Sequence, residues 1–194
     1  RDRPGVMLAT AVAGYLNRYG VLVGKRIIIF TNNSIGHRTA SAISSAGAEV
    51  ITIIDSRPES LGRWEQENVA NGISIGWQSK VLNTRGRKHV SGALVGSIDG
   101  QRQEWLDCDV LAMSGGFVPT VSLYAHTGGK LGWKEGQDTF LPDLSENNFT
   151  AVGLCNQDET LYESLANGYS AGQQAASNLG YRFHEVWSPA VIGD

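Results

Sequence analysis

The chain has 194 residues, with 16 basic against 19 acidic side chains and a net charge of −3. That mild acidity leaves no basic footprint, which argues against a nucleic-acid partner. No apolar run reaches the roughly 18 residues that a membrane span needs, so neither nucleic acid nor membrane is expected as a partner. The length allows one or two domains with a real core. Cys108 and Cys155 stand too far apart for a CxxC or zinc pattern and read as reduced thiols. No signal peptide is visible, and a cytoplasmic setting is expected. The chain opens on Arg1, not Met, and reads as a piece cut from a longer polypeptide or as a processed subunit.

Residues 5–19 carry Leu8, Val12, Tyr15, Leu16 and Tyr19 at helical spacing. Pro4 suits the first turn and Gly20 the stop. Residues 26–30 are apolar on both faces, as a central parallel strand should be. A helix over 34–46 follows, with Ile35, Ala42, Ile43 and Ala46 expected inward, Asn33 as N-cap and Gly47 just past the end. A strand at 49–54 ends at Asp55. Pro58 opens another helix through about 71, and Ile73 and Ile75 mark a short third parallel strand. Then Val81, Leu82, Val90, Leu94, Val95 and Ile98 sit in alternating stretches broken by Arg85-Gly86 and Asp99-Gly100, which predicts a three-stranded antiparallel meander leading to the next strand. A strand at 109–113 runs into Ser114-Gly115-Gly116, a crossover signal. Residues 120–148 look irregular, apart from a turn or short hairpin at GGKLGWKEG. A short strand at 149–152 ends at Gly153. Residues 160–179 read as a helix, and the tail reads as extended.

The strand–turn–helix–strand from 25 to 57 is half of a dinucleotide-binding unit. In the G-x-G-x-x-G register it carries Thr31, Asn33 and Gly36, with Asn32 and Ser34 between them. Only the third glycine survives, and its job is helix–strand packing. Asn tolerates unusual backbone angles, so the turn can form, and the helix N-terminus offers N–H groups to an anion. Asp55 stands where an acid accepts from the ribose hydroxyls of NAD, and Arg57 pulls toward the 2′-phosphate of NADP. Binding and a vestigial fold without ligand are both open on these residues. A second candidate is the loop after the strand at 149–152, where Gly153, Leu154, Thr160 and Leu161 lead into the last helix. The plainer alternative there is a capped helix, with Asp158 or Thr160 as N-cap and Glu163 completing a capping box.

No catalytic or metal-binding constellation is visible. His37, His89, His126 and His184 read as surface or capping histidines, and Ser114 does not sit in GxSxG. The five tryptophans read as core or interface anchors.

Several segments carry a family resemblance: RPGVMLATAVAGYLNRYGV at 3–21, FTNN at 30–33, the corner Asp55-Ser56-Arg57, SGGFVPTVSLYAHTGGKLGW at 114–133, and GLCNQDETLYESLANG at 153–168. On these the chain resembles the alpha subunits of heterotetrameric sarcosine oxidases, within the pyridine-nucleotide-disulfide oxidoreductase superfamily. The resemblance implies an α/β fold: a three-layer Rossmann-like βαβ unit with a parallel sheet and an antiparallel meander, plus part of a second, FAD-domain-like half. It implies a lead-in helix of the outer domain at 1–22, an inserted NAD(P)-binding-like domain at 23–116, and the later part of the outer domain at 117–194. It also implies NAD in the full subunit, contacted by the turn residues Thr31 to Gly36, by Asp55, Arg57, Gly115 and Gly116, and by the Gly153 loop. FAD and FMN belong to the full complex and are not expected in this piece. Partners are the other subunits of a hetero-oligomeric oxidase and the remaining N-terminal and C-terminal parts of the same polypeptide. The loop GLCNQDETL departs from the family pattern, since Gln157, Asp158 and Glu159 make it bulky and acidic, which opposes a pyrophosphate. The piece alone is expected to have no oxidase activity, and a scaffold or interaction module without ligand is the alternative.

Overall fold

The computed structural model describes residues 3–135, 139–143, 149–158 and 160–182. It divides into two compact units between Gly116 and Phe117.

The first unit contains β1 (Val6–Leu8), α1 (Ala9–Tyr19), β2 (Arg26–Thr31), α2 (Ser34–Ser45), β3 (Glu49–Asp55), α3 (Arg63–Ala70), β4 (Ile75–Gly76), β5 (Ser79–Arg85), β6 (Gly92–Ser97), β7 (Gln103–Leu106) and β8 (Val110–Ser114). Five strands form a parallel sheet in the order β1-β8-β2-β3-β4. The meander β5-β6-β7 is a separate antiparallel sheet. Strand β2 shows why the layers stack. Its alternate residues point to opposite faces. Ile27 and Ile29 pack with Ala9, Val12, Ala40 and Ile43 of α1 and α2. Ile28 faces the other way, against Val90, Ala93 and Val95 of the meander side. All three isoleucines are fully buried, each worth about 1.5–3 kcal/mol of apolar burial. The result is a three-layer α/β unit of helices, parallel sheet and meander, as expected.

Several local expectations are corrected. Helical spacing predicts a helix from residue 5, but Val6–Leu8 is a strand paired with Leu111–Met113, and α1 starts at Ala9. Gly5 permits this, because a Cβ there would lie 2.7 Å from the Asp109 carbonyl oxygen. Residues 3–22 therefore sit in the first unit through the β1–β8 ladder. Helix α3 begins at Arg63, not at Pro58, and β4 is only Ile75–Gly76. The buried face of α2 runs through Gly36, His37, Ala40 and Ile43, whereas Ala46 is exposed.

The second unit contains α4 (Ser122–His126), the antiparallel hairpin β9 (Leu131–Lys134) and β10 (Thr139–Pro142), a 3-10 turn at Gly153–Asn156, and α5 (Leu161–Asn178). The irregular stretch thus holds a short helix as well as the hairpin. The strand expected at 149–152 does not form. Val152 is extended, but this segment has no ladder partner among the described residues. His184, Trp187 and the tail expected as extended lie outside the described residues. No described helix is long and apolar enough to cross a membrane.

Candidate functional site

In an open parallel sheet, ligands bind beyond the carboxyl ends of the strands, where the strand order reverses. Here the chain leaves β2 toward β3 on one side, while β8 flanks β2 on the other, so the switch point lies between β2 and β8. The sequence-predicted residues Thr31, Asn32, Asn33, Ser34, Gly36, Gly115 and Gly116 all come to this place. Asp55 and Arg57 stand at the end of the adjacent β3.

The turn after β2 is held by side chains. Thr31 Oγ1 donates to the Asn33 carbonyl and accepts from the Asn33 N–H at 3.1 Å. Asn33 caps α2, its Oδ1 accepting from the Ile35 N–H at 3.0 Å. Its Nδ2 donates to the Ser114 carbonyl at 3.1 Å, and Ser114 Oγ donates back to Asn33 Oδ1 at 2.9 Å. The Asn32 backbone N–H also donates to the Ser114 carbonyl, and Asn32 Nδ2 reaches Gly115 O at 3.4 Å. Neither asparagine has positive φ. Their value here lies in amide hydrogen bonds, not in conformational tolerance. Gly36 does the packing job expected of it, since a Cβ there would lie 2.4 Å from Thr31 Cβ and Oγ1. Gly116 takes φ +85 beside Asn32.

The end of β3 differs most from expectation. Asp55 is completely buried. Its Oδ2 lies 2.8 Å from His37 Nε2 and from Arg57 Nη2, and its Oδ1 accepts from the Arg57 backbone N–H at 2.9 Å and from Nε at 3.1 Å. Both oxygens are engaged inside the protein, so the carboxylate does not face a ribose. Burial would push this carboxyl up, but the hydrogen bonds from His37 and Arg57 outweigh it and hold the group below the ordinary carboxylate range. Glu65, brought by α3, is also buried and accepts from Arg57 Nη2 at 3.2 Å and from Ser34 Oγ at 2.9 Å. The Asp55 hydrogen bonds hold the Arg57 guanidinium firmly charged.

His37 is therefore not a surface histidine. It is fully buried, stacks on Trp77 at 5.7 Å between ring centroids, and its carbonyl accepts from Asn68 Nδ2. The other described tryptophans also depart from simple core anchoring. Trp64 lies under Arg63 and Trp105 under Arg85, while Trp133 meets Phe140 edge-on and is half exposed.

In the second unit, Gly153 has φ +78 and opens the 3-10 turn, with no strand before it. Its N–H donates to Asp158 Oδ2 at 2.6 Å, and Asn167 Nδ2 donates to Asp158 Oδ1 at 3.0 Å. Asp158, one of the two N-cap candidates, is buried and holds its own loop together. Thr160 caps α5 in a complete capping box with Glu163. Leu154 and Leu161 are exposed. Among the described residues no group of His, Cys, Asp and Glu could hold a metal ion.

No family model matches the chain. Over 185 residues, 92% of its length, the chain is 35% identical to the sarcosine oxidase subunit alpha of Rhizobium meliloti (strain 1021), of which it spans 17%. Over 187 residues, 93% of its length, it is 35% identical to the sarcosine oxidase subunit alpha of Corynebacterium sp. (strain U-96), spanning 19% of that subunit. The crystal structure of T. acidophilum thioredoxin reductase superposes with a TM-score of 0.64 at 18% identity, covering 91% of this chain and 58% of that one. The chain thus spans less than a fifth of the curated relatives it matches, and its Rossmann-like fold is shared with that thioredoxin reductase.

Proposed function

Because this chain is a homologue of one part of the sarcosine oxidase alpha subunits, we propose that it is the dinucleotide-binding part of a flavin-dependent oxidoreductase acting on CH–NH donors. In this reading residues 23–116 are the inserted domain and 117–194 belong to an outer domain. The partners are other subunits of the oxidase and further parts of the same polypeptide, in the cytoplasm. FAD and FMN sit elsewhere in the complex. NAD occupies the crevice at the β2–β8 switch point and, when bound, supplies a nicotinamide ring able to take a hydride. The chain's own residues bind and orient it. The first-turn N–H groups of Ser34 and Gly36, with that of Ile35 taken by the Asn33 cap, would receive its pyrophosphate, and Gly115-Gly116 would let backbone approach from the other side.

One observation carries this reading. The α2 N-terminus, the tight Gly36 contact on Thr31 and the Gly115-Gly116 crossover converge on one switch point. A second reading, a scaffold without ligand, is favoured by the amide web of Asn32, Asn33 and Ser114, which spans the same crevice. Titration of the chain with NAD and with NADP separates them, followed by tryptophan fluorescence and melting temperature. Trp77 stacks on His37 beside the crevice and serves as the reporter. Binding stabilises the fold by about 2.7 kcal/mol at a hundredfold excess over Kd. No response at millimolar concentrations of either nucleotide leaves the scaffold.

A further inference from the structure

We propose that the cleft between the meander and the β3–β4 edge of the parallel sheet binds a small zwitterion, an α-amino acid with an apolar side chain. The cleft shares no residue with the β2–β8 crevice, and the proposal does not depend on the dinucleotide reading.

The two layers of the first unit close on each other over only part of their area. Ala93 and Val95 of β6 face the parallel sheet, packed with Ile28, Ile54 and Leu111. Residues directly opposite in an antiparallel pair share a face. Leu106 of β7 stands opposite Ala93, and Glu104 opposite Val95. Arg102 follows one pair further on, its carbonyl accepting from the Ser97 N–H at 3.1 Å. The sheet-facing row of β7 therefore runs Leu106, Glu104, Arg102. It begins in the core and ends in two opposite charges. There the layers separate into a cleft of about 1060 Å³, with Ile54, Val95 and Leu106 as its apolar floor and Arg102 and Glu104 on its wall.

A charge on the covered face of a sheet normally meets a partner. Among the described residues, neither the Arg102 guanidinium nor the Glu104 carboxylate makes a hydrogen bond or an ion pair, with each other or with a third group. Asp99 is the carboxylate whose charge Arg102 feels, and its Oδ1 is already taken by the Ser97 hydroxyl and the Gln101 N–H. The cleft thus presents one unpaired cation and one unpaired anion above an apolar surface.

That combination selects a class of ligand. Positions two apart on one face of a strand lie about 7 Å from each other. A ligand that engages both long side chains must carry an anion and a cation within a few ångströms. An α-amino acid carries them on one carbon. Its carboxylate fits the planar guanidinium of Arg102 as a bidentate acceptor, and its ammonium donates to Glu104. The same carbon bears the side chain, which is left facing Ile54, Val95 and Leu106. Each ion pair at a solvated mouth is weak by itself, so recognition needs both charges and the floor together.

Isothermal titration of the chain with leucine and with glycine tests this, with leucinamide and N-acetylleucine as analogues that each lack one charge. Leucine is expected to bind with a Kd of about 0.1–1 mM, within reach of a ligand of its size. Glycine, with nothing for the floor, should bind roughly tenfold more weakly, and so should each analogue. No binding of leucine at concentrations tenfold above that range overturns the proposal, as does parity of leucine with glycine or with either analogue. Bound leucine should shift the methyl resonances of Ile54, Val95 and Leu106, and shifts confined to other methyl groups place the ligand elsewhere and overturn it. Arg102 and Glu104 are exposed at the mouth, so Arg102→Gln and Glu104→Gln should leave the melting temperature unchanged while weakening leucine roughly tenfold. Unchanged leucine affinity in either variant overturns the proposal. Should a variant fail to fold, the analogue series and the methyl shifts on the unaltered chain decide.

Discussion

His37 Nε2 lies 2.8 Å from Asp55 Oδ2, and neither side chain has any exposed surface. The pair joins α2 to the end of β3, and Arg57 and Glu65 complete the cluster. Removing one partner of a buried ionic group leaves the others desolvated and unpaired, which costs about 3–5 kcal/mol. Asp55→Asn is expected to lose that much stability in urea unfolding. A loss below about 1 kcal/mol would show that the cluster contributes little.

The same carboxylate predicts the acid response. Asp55 titrates below its ordinary value of 3.8 in the folded chain. Between the two values the unfolded state binds more protons, so stability rises with pH across that window. The contribution is fully present above the unfolded value and disappears as pH falls through the lower folded one. Unfolding free energy followed below about pH 4 should drop more steeply in the unaltered chain than in Asp55→Asn. Parallel curves would assign the acid sensitivity to other groups.

Gly36 and Gly14 make a paired test of backbone space. A Cβ at Gly36 would collide with Thr31 at 2.4 Å, whereas a Cβ at Gly14 in α1 meets nothing within 4 Å. Gly36→Ala must push α2 away from β2 and is expected to cost about 1–3 kcal/mol. Gly14→Ala should stabilise by about 0.5–1 kcal/mol, because it removes backbone freedom from a helix interior. Calorimetric melting reads both, and equal effects would contradict the close approach of α2 to β2.

Much of this arrangement was legible in the sequence where local pattern decides it. The run IIIF gave β2, Asp99-Gly100 gave the β6–β7 turn, and Asn33 and Thr160 gave their caps. The illegible parts depend on partners remote in the chain. Nothing near Val6–Leu8 announces a ladder with Leu111–Met113. The extended segment at 149–152 looks like a strand, but a strand needs a neighbour. The burial of His37 requires Glu65 from α3 and Trp77 from beyond β4, and Asp55 turns inward only because they are there. A weak signal existed: His37 stands next to Gly36, in the buried first turn of α2.

The two cysteines offer a chemical check on the packing of the meander against the sheet. Cys108 is buried among Ile28, Leu111 and Val90. Burial, and then the neighbouring Asp109 carboxylate, push its thiol up to about 11. At pH 8 about one molecule in a thousand carries the reactive thiolate there. Cys155 is only half-buried, its Sγ lying 3.1 Å from the Val152 carbonyl oxygen. A thiol reagent at pH 8 should therefore label Cys155 in the folded chain and Cys108 only after denaturant is added. Peptide mapping of the labelled sites distinguishes them. Rapid labelling of Cys108 under native conditions would mean that the meander opens away from β2 and β8, because no other route exposes a thiol held between those two layers.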